Sequence, residues 1–261
     1  MQRVFITGAS SGLGAALALH YAQRGATLGL LARRGAALQQ LIATLPHPER
    51  HRAYAVDVTD HAALRQAALD FIEHAGGADI VIANAGISHG TLTEQADDLA
   101  VFEAILATNV SATVATFAPF IATMQRQATP ARLVGIGSVA GIRGLPGAGA
   151  YSASKAAVIS YCESLRLELK PHGIAVVTLA PGYIDTPMTQ HNPYRMPFLM
   201  AADKFAARAA ATIAAGTSYR VIPWQMGVVA KLLRLLPNGV YDRLFINAPR
   251  KTRRVANGTA P

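Results

Sequence analysis

Two side chains capable of acid/base chemistry lie four positions apart in Tyr151-Ser152-Ala153-Ser154-Lys155. Residues at this spacing share one face of a helix, so a helical segment lets Tyr151 and Lys155 act as a pair. A free phenol has a pKa of about 10, and a neighbouring ammonium favours its ionised form. The spacing therefore indicates a tyrosine that exchanges a proton with a carbonyl or an alcohol.

Ser138 and Asn109 are two further candidates for the same site. Ser138 ends a strand-like run, at the edge where parallel sheets bind ligands, and its hydroxyl can hold a substrate oxygen. Asn109 falls inside a long helical pattern, where an asparagine is locally unfavourable and indicates a polar task. Taken singly, each has an ordinary explanation: a helix-surface pair, a turn serine, an asparagine bridging backbone groups. Their joint placement favours a reactive site.

A glycine-rich turn follows the first strand-like run, in Thr7-Gly8-Ala9-Ser10-Ser11-Gly12-Leu13-Gly14. Gly8 permits a tight turn, Gly12 lets the backbone approach a pyrophosphate, and Gly14 allows a helix to pack closely on a strand. The helix N-terminus that follows attracts the anion. Gly14 is followed by Ala15-Ala16 and not by Lys-Ser/Thr, which disfavours nucleoside triphosphate chemistry.

The second strand-like run ends in Ala32-Arg33-Arg34, where a dinucleotide fold meets the adenosine ribose. An acidic residue would bind a ribose 2′-hydroxyl, whereas two guanidinium groups suit a 2′-phosphate. The pair predicts NADP(H) as the preferred cofactor, with NAD(H) as the alternative; an ordinary solvated arginine pair is the competing explanation. Asp57, at the end of the third run, is placed to hydrogen-bond the adenine or to cap the next helix.

These residues require a framework of alternating strands and helices. Short β-branched runs predict seven strands, at Arg3–Thr7, Thr27–Ala32, Arg52–Asp57, Ile80–Asn84, Arg132–Ser138, Ile174–Ala180 and Tyr219–Ile222. Alanine-rich segments predict six helices, at Gly12–Gln23, Gly35–Leu45, His61–His74, Leu99–Gln125, Tyr151–Lys170 and Asp203–Ala215. The alternation predicts an α/β, doubly wound fold with a mainly parallel sheet flanked by helices.

Composition sets broader bounds. The 261 residues are 51% hydrophobic and 15% charged, enough for one large domain and unlike a disordered or fibrous chain. The formal charge of +9 suits nucleic acid, a membrane surface or an anionic cofactor, but the basic residues are spread out and do not favour nucleic acid. A single cysteine, Cys162, and a start directly on a strand-like run predict a reducing cytoplasm. Ala104 to Gln125 carries too many polar groups for a lipid-facing span.

From Thr7 to about Met188 the chain resembles the classical short-chain dehydrogenase/reductase family. The resemblance is carried by the glycine motif, Asp57, the segment Asn84-Ala85-Gly86, and the Tyr151–Lys155 pair with Ser138 and Asn109. It implies a Rossmann-type catalytic domain and a tetrad of Asn109, Ser138, Tyr151 and Lys155, with Tyr151 as the acid/base, Lys155 also holding the nicotinamide ribose and Asn109 supporting a water-linked proton path. Ala83 and Gly137 depart from the family pattern without removing a reactive group.

The same resemblance extends the cofactor site along the chain. Pro181-Gly182 and Thr186 resemble the family segment after the sixth strand, where Ile184 and Thr186 would contact the nicotinamide amide. The predicted cofactor-binding set is Gly8, Ser10, Ser11, Gly12, Leu13, Gly14, Arg33, Arg34, Asp57, Val58, Asn84, Ala85, Gly86, Tyr151, Lys155, Pro181, Gly182, Ile184 and Thr186. The implied reaction interconverts a carbonyl and an alcohol.

Other functional classes fit less well. Ile136-Gly137-Ser138-Val139-Ala140 lacks the Gly-x-Ser-x-Gly pattern of a serine hydrolase. The histidines are scattered and form no metal-ligand spacing, so we expect no metal. A dinucleotide-binding sensor that performs no chemistry remains the alternative, because binding loops persist without turnover.

Beyond the shared motifs, residues 187–250 are expected to form a variable substrate loop and C-terminal region of a single domain spanning residues 1–250. Met188, Tyr194 and Phe198 favour an apolar substrate, with core packing as the competing explanation. Gly227–Leu236 reads as a basic amphipathic helix that packs on its own protein or a partner subunit, with lipid-surface contact less favoured. The apolar character of Ala104–Gln125 and Ala156–Leu169 predicts a homodimer or homotetramer. Residues 251–261 are expected to form a flexible basic tail.

Overall fold

A computed structural model describes residues 1–190, 192 and 194–253. The seven predicted strands are present as β1 (Arg3–Thr7), β2 (Thr27–Ala32), β3 (Arg52–Ala55), β4 (Ile80–Ala83), β5 (Ala131–Ile136), β6 (Ile174–Pro181) and β9 (Tyr219–Ile222). They form one sheet in the order β3-β2-β1-β4-β5-β6-β9, and each neighbouring pair is parallel. The expected α/β doubly wound class is confirmed.

Helices connect the strands and continue beyond the sheet. They are α1 (Gly12–Ala22), α2 (Gly35–Thr44), α3 (His61–Ala75), α4 (Asp98–Leu106), α5 (Ala112–Arg126), α6 (Gly149–Leu169), α7 (Ala202–Ala214), α8 (Trp224–Leu235) and α9 (Asn238–Phe245). A two-stranded parallel pair, β7 (Ile184–Asp185) with β8 (Met200–Ala201), was not predicted because two-residue strands leave no period to read.

The sheet buries both of its faces, and the alternation of side chains in β1 shows how. Val4 and Ile6 point into a cluster shared with α1, α2 and α7, whereas Phe5 points into a second cluster with α3, α5 and α6. All three side chains are fully buried. Successive residues of a strand face opposite sides, so continuously apolar strands are what a sheet covered on both faces requires.

Three strands end before the polar residue that was predicted to close each of them. β3, β4 and β5 end at Ala55, Ala83 and Ile136, so Asp57, Asn84 and Ser138 lie in the loops that follow. The predictions that placed these residues inside strands were wrong at the boundary. The polar side chains leave the hydrogen-bonded ladder to serve the carboxyl edge of the sheet.

The long helical segment predicted at Leu99–Gln125 spans Asp98–Arg126 and contains a π-helical turn at Ala107–Ser111. Among the described residues, one helix has the length and apolar composition needed to cross a membrane, and it is this one. In this fold Phe117 and Phe120 are fully buried against the sheet, so the helix serves the core.

The basic ending contacts distant parts of the chain. Lys251 hydrogen-bonds Ser88, and Arg253 pairs with Asp98 across 2.8 Å. Such docking leaves no local pattern in the sequence, and the expected flexibility of residues 251–261 stays a prediction. The rest of the predicted tail, 254–261, lies outside the described residues.

Candidate active site

A cleft of about 1050 Å³ lies at the carboxyl edge of the sheet, where the chain leaves β1, β2, β4, β5 and β6. Open parallel sheets bind their ligands at this edge. All the predicted catalytic and cofactor-binding residues line the cleft except Gly14 and Asn109. Those two lie directly behind its wall, where they support residues that do line it.

The glycine loop is shaped by its contact with the loop after β4. Gly8 has a φ of +66°, and a Cβ there would lie 2.8 Å from the Cα of Ala85. The Asn84 amide donates to the carbonyl oxygens of Thr7 and Gly8 at 3.0 and 3.2 Å. A Cβ on Gly14 would collide with the Gly8 carbonyl, so Gly14 permits packing and does not touch the cleft.

Arg34 reaches across this loop. Its Nη2 donates to the hydroxyl oxygens of Ser10 and Ser11 at 3.1 and 2.9 Å. Arg33, whose side chain is 71% exposed, lies 3.9 Å from Asp57. The two guanidinium groups therefore lie at the end of the cleft formed by β2 and the glycine loop, and they make that end positively charged.

Asp57 is held in place by the turn that follows it. The backbone amide and hydroxyl of Thr59 donate to its carboxylate at 2.9 and 2.8 Å. Burial raises the pKa of Asp57, but the hydrogen bonds from Thr59 and the charge of Arg33 outweigh it and leave the pKa below its ordinary value. Asp57 is thus an ionised acceptor within the cleft wall.

At the other end of the cleft, Tyr151, Ser138 and Lys155 converge. Ser138 follows β5 and is buried, while Tyr151 and Lys155 project from the first turns of α6. Burial raises the pKa of the Tyr151 phenol, and a hydrogen bond with Ser138 acts in the opposite direction. The net direction favours the protonated phenol, which is a proton donor beside a hydroxyl.

Lys155 carries a buried ammonium next to this phenol. Its Nζ donates to the Ile136 carbonyl at 2.8 Å and lies 5.8 Å from the centroid of the Tyr151 ring. Burial lowers the pKa of Lys155 to about 8, with the nearby Cys162 acting in the opposite direction. Glycine at position 135 matters here, because a side chain would collide with Cys162, which lies further along the same helix as Lys155.

A model of the short chain dehydrogenase family matches residues 2–196. The chain belongs to this family. An uncharacterized oxidoreductase of Myxococcus xanthus is 36% identical over 248 residues, covering 91% of this chain and 93% of its relative. An uncharacterized oxidoreductase of Mycobacterium tuberculosis is 37% identical over 260 residues, and the match covers 98% of this chain and 97% of the relative. The family resemblance and the oxidoreductase class are confirmed.

Solved structures share the fold. A 3-ketoacyl-(acyl-carrier-protein) reductase from Brucella melitensis, complexed with NADH, has a TM-score of 0.76 at 24% identity. The match covers 85% of this chain and 96% of the reductase. The arrangement of sheet and helices in this short-chain dehydrogenase is therefore that of the solved reductase.

Asn109 lies in the π-helical turn of the dehydrogenase and is 1% exposed. Its Oδ1 accepts from the Ile87 backbone amide at 2.9 Å, and its Nδ2 donates to the Ile87 carbonyl and to the Ser154 hydroxyl. The side chain thus ties the loop after β4 to α6 from behind. The mid-helix asparagine does have a polar task, and the hydrogen bonds that occupy its side chain are structural ones.

Several residues of this cleft carried no readable signal in the sequence. Ile87, His89, Thr108 and Pro187 line it without belonging to any motif quoted above. Lys251 comes within 5.8 Å of the Tyr151 ring centroid from the far end of the chain. A sequence separation of 100 residues and a position in a presumed tail concealed that contact.

Within the described residues, no three His, Cys, Asp or Glu side chains group as metal ligands. The expectation of metal-free chemistry stays a prediction.

Thr189 closes the wall after β7, where its hydroxyl contacts the Ile184 carbonyl at 2.5 Å and its Oγ1 accepts from the Thr186 amide at 3.1 Å. A Cβ on Gly12 would lie 3.4 Å from Thr186, so this wall faces the glycine loop directly.

Proposed function

We propose that this short-chain dehydrogenase interconverts a carbonyl and an alcohol with NADP(H), using Tyr151 as the general acid/base. One observation carries the proposal: a single cleft joins a cationic, glycine-walled end to an end where a phenol, a hydroxyl and a buried ammonium converge. The first arrangement suits a phosphorylated dinucleotide, and the second suits proton exchange with a carbonyl oxygen. The proposed reaction requires both ends of the cleft, because the cofactor and the carbonyl must be bound next to each other.

The residues of the cleft fit the proposed cofactor. Gly8 and Gly12 leave the loop backbone open to a pyrophosphate, and Arg33 and Arg34 offer guanidinium donors for a ribose 2′-phosphate. Pro181, Gly182, Ile184 and Thr186 supply the wall for the nicotinamide. When bound, the dinucleotide supplies or accepts the hydride.

The protein contributes orientation and proton transfer. Ser138 and Tyr151 donate hydrogen bonds to the substrate oxygen and place its carbon beside the nicotinamide wall. The phenol gives its proton to that oxygen in reduction and accepts it in oxidation. The Lys155 ammonium stabilises the phenolate that remains and holds the nicotinamide ribose. Asn109 fixes the Ile87 loop on which this geometry depends, which makes it a positioning residue.

The substrate is a small carbonyl compound or alcohol with an apolar body. The segment after β7 supports this, since Met188 lines the cleft, and Phe198 and Leu199 are 50% and 48% exposed in the same segment. Tyr183 and Tyr194 pack against each other with ring centroids 6.2 Å apart. Such a segment offers an adaptable apolar surface to a ligand.

The enzyme assembles as a homodimer or homotetramer through α4, α5 and α6. Leu99, Val114 and Leu167 on these helices are 63%, 40% and 59% exposed. Apolar side chains in that number on neighbouring helices favour a two-fold packing of subunits. Light scattering at micromolar concentration should give a mass two or four times the 27.4 kDa of one chain, and a monomer would refute this assembly.

A reducing cytoplasm is the proposed location, and α8 is a candidate for further contacts there. The thiol of Cys162 is buried, and burial raises its pKa to about 11, so it suits a reducing compartment as an inert core residue.

The helix α8 packs through Met226 and Ala230 and exposes Trp224 and Leu232. A partner subunit is the favoured cover for that face over a lipid surface, and no nucleic acid is proposed.

Turnover measurements test the proposed reaction. Purified protein is supplied with a panel of ketones, aldehydes and alcohols and with NADPH or NADP⁺, and the nicotinamide absorbance is followed. We expect turnover of at least one member by the wild type and its loss in Tyr151→Phe with the fold retained. Turnover that survives Tyr151→Phe, in the absence of a contaminating enzyme, would refute the assigned acid/base. A blank across the panel would favour the sensor alternative.

A further inference from the structure

The C-terminal segment Arg250–Arg253 is docked along the loop that follows β4. The Gly90 amide donates to the Thr252 carbonyl at 2.9 Å, and Gly90 and Arg253 form a parallel bridge. A Cβ on Gly90 would collide with the Lys251 carbonyl, and one on Gly147 would lie 2.8 Å from the Arg250 Cβ. Two positions without side chains therefore let the segment lie close to the cleft.

An ion pair anchors the end of this segment. Arg253 donates through Nε and Nη2 to the two carboxylate oxygens of Asp98, at 2.8 and 3.1 Å. The hydrogen bond from Arg253, together with one from the Leu92 amide, lowers the pKa of Asp98. Asp98 is 3% exposed, so this anchor is part of the folded domain.

The docked segment brings a second ammonium to the reaction end of the cleft. Lys251 Nζ donates to the Ser88 hydroxyl at 2.9 Å and lies 5.8 Å from the centroid of the Tyr151 ring. Lys155 Nζ lies at the same distance from that centroid. The phenol proposed to hold the substrate oxygen therefore has two ammonium groups near its ring, one from α6 and one from the C-terminal segment.

These two cations have no acidic partner close by. Across residues 1–190, 192 and 194–253, no carboxylate lies within 4.0 Å of either ammonium. Lys155 has a role beside the phenol, whereas the Lys251 ammonium contacts the Ser88 hydroxyl and the Tyr151 ring. Burial lowers the pKa of Lys251, the direction expected of a cation that gives up water without gaining a counter-ion. A cation that loses water on burial is stabilised by a negative charge, so an anion is the kind of ligand that suits this ammonium.

We propose that Lys251 is a specificity-determining residue that binds an anionic group, a carboxylate foremost, next to the substrate carbonyl. The inference rests on the proposed function, because it takes Tyr151 as the residue that holds the carbonyl oxygen. Because the Lys251 ammonium lies 5.8 Å from the centroid of the phenol ring, the proposal assigns the two groups to neighbouring parts of one ligand. The preferred substrate has an apolar body and a carboxylate close to its carbonyl.

Matched substrate pairs test this site. Aliphatic oxo acids with the carboxylate one, two or three carbons from the carbonyl are each compared with their methyl esters, using NADPH. A charge-assisted hydrogen bond contributes about ten- to a hundredfold, so the best acid should exceed its ester in kcat/KM by at least ~10-fold. Lys251→Met should bring that ratio close to one, whereas Lys251→Arg should keep most of it. Lys231→Met, on exposed α8, should match the wild type.

A binding measurement keeps the proposal testable whatever the panel turns over. Protein saturated with NADP⁺ is titrated calorimetrically with butanoate and with butanamide. We expect wild type to bind butanoate more tightly than butanamide and Lys251→Met to lose the difference. Equal binding of the two by the wild type, or an acid preference that survives Lys251→Met, would overturn the anion site. Ester turnover that depends on Tyr151 but shows no acid preference would overturn it while leaving the proposed reaction intact.

Discussion

The two ends of the cleft are built from differently connected parts of the chain. The dinucleotide end uses the glycine loop, the end of β2 and Asp57, all within the first 60 residues and on consecutive strands. The reaction end joins the loop after β4, the start of α6, the segment after β7 and Arg250–Arg253. One end is assembled by neighbouring elements and the other by long-range docking.

This difference has a consequence for function. The dinucleotide end is fixed by backbone geometry and short turns, so it recognises a constant ligand. The reaction end is fixed in part by side-chain contacts such as Lys251–Ser88 and Arg253–Asp98, and these can change without disturbing the sheet. Variants at one end should therefore leave the ligand of the other end largely unaffected.

The largest expected effect belongs to Lys155, which serves both ends. Lys155→Met should reduce turnover at least ~100-fold, because the ammonium beside Tyr151 stabilises the phenolate during proton transfer. Steady-state kinetics with the best substrate of the panel measures it. Lys170→Met, at the exposed end of α6, is the matched control and should retain wild-type rates. Comparable rates in both variants would remove Lys155 from the mechanism.

Replacement of Lys155 should also change how the unfolding free energy depends on pH. The pKa of Lys155 is about 8 in the folded protein and 10.5 in the reference state, so the unfolded chain binds more protons between these values. The unfolding free energy of wild type should therefore rise, relative to Lys155→Met, by about 3 kcal/mol from pH 8 to 10.5. Chemical denaturation across that range checks it. A constant difference between the proteins would show that the lysine is not desolvated.

Removal of the arginine pair should affect only the phosphorylated cofactor. Arg33→Ala with Arg34→Ala should weaken NADPH binding about 10- to 100-fold, since charge-assisted pairing contributes about 1.5–3 kcal/mol. NADH has no 2′-phosphate and should change much less. Arg52→Ala with Arg65→Ala, two exposed arginines away from the cleft, is the control. Equal losses for NADPH and NADH, or a wild type that prefers NADH, would make Arg33 and Arg34 a solvated surface pair.

The smallest expected effect concerns the anchor of the C-terminal segment. Arg253→Met should loosen that segment and raise the KM for the carbonyl substrate several-fold, with no change in the dissociation constant of NADPH. Arg243→Met on exposed α9 should leave both constants at their wild-type values. A change in NADPH binding would mean that the two ends of the cleft are coupled and do not bind their ligands independently.

The sequence predicts most of the framework for a physical reason. Continuous apolar runs such as Ile80–Ala83 can be satisfied only by a sheet covered on both faces, and the glycine spacing requires a close backbone approach. The strand ends were less predictable, because Asp57 and Ser138 extend a β-like run in sequence but turn away from the ladder in three dimensions.

The contacts of the reaction end could not be predicted from local pattern. Asn109 reads as a polar anomaly, but only the fold shows that its amide is taken up by Ile87 and Ser154. Lys251 sits in a basic, polar ending whose composition favours mobility, and its docking depends on Gly90 and Gly147 leaving space. A single sequence carries no trace of such long-range fit.

Isotopic labelling of the transferred hydride is the most direct test of the proposed reaction. The best carbonyl substrate is incubated with NADPH that carries deuterium at the transferred position of the nicotinamide C4, and the product is analysed by mass spectrometry. Wild type should place the deuterium on the former carbonyl carbon, and Tyr151→Phe saturated with NADPH should transfer label at least ~100-fold more slowly. Label transfer by Tyr151→Phe at the wild-type rate, or product whose new hydrogen comes from solvent, would contradict the proposed mechanism.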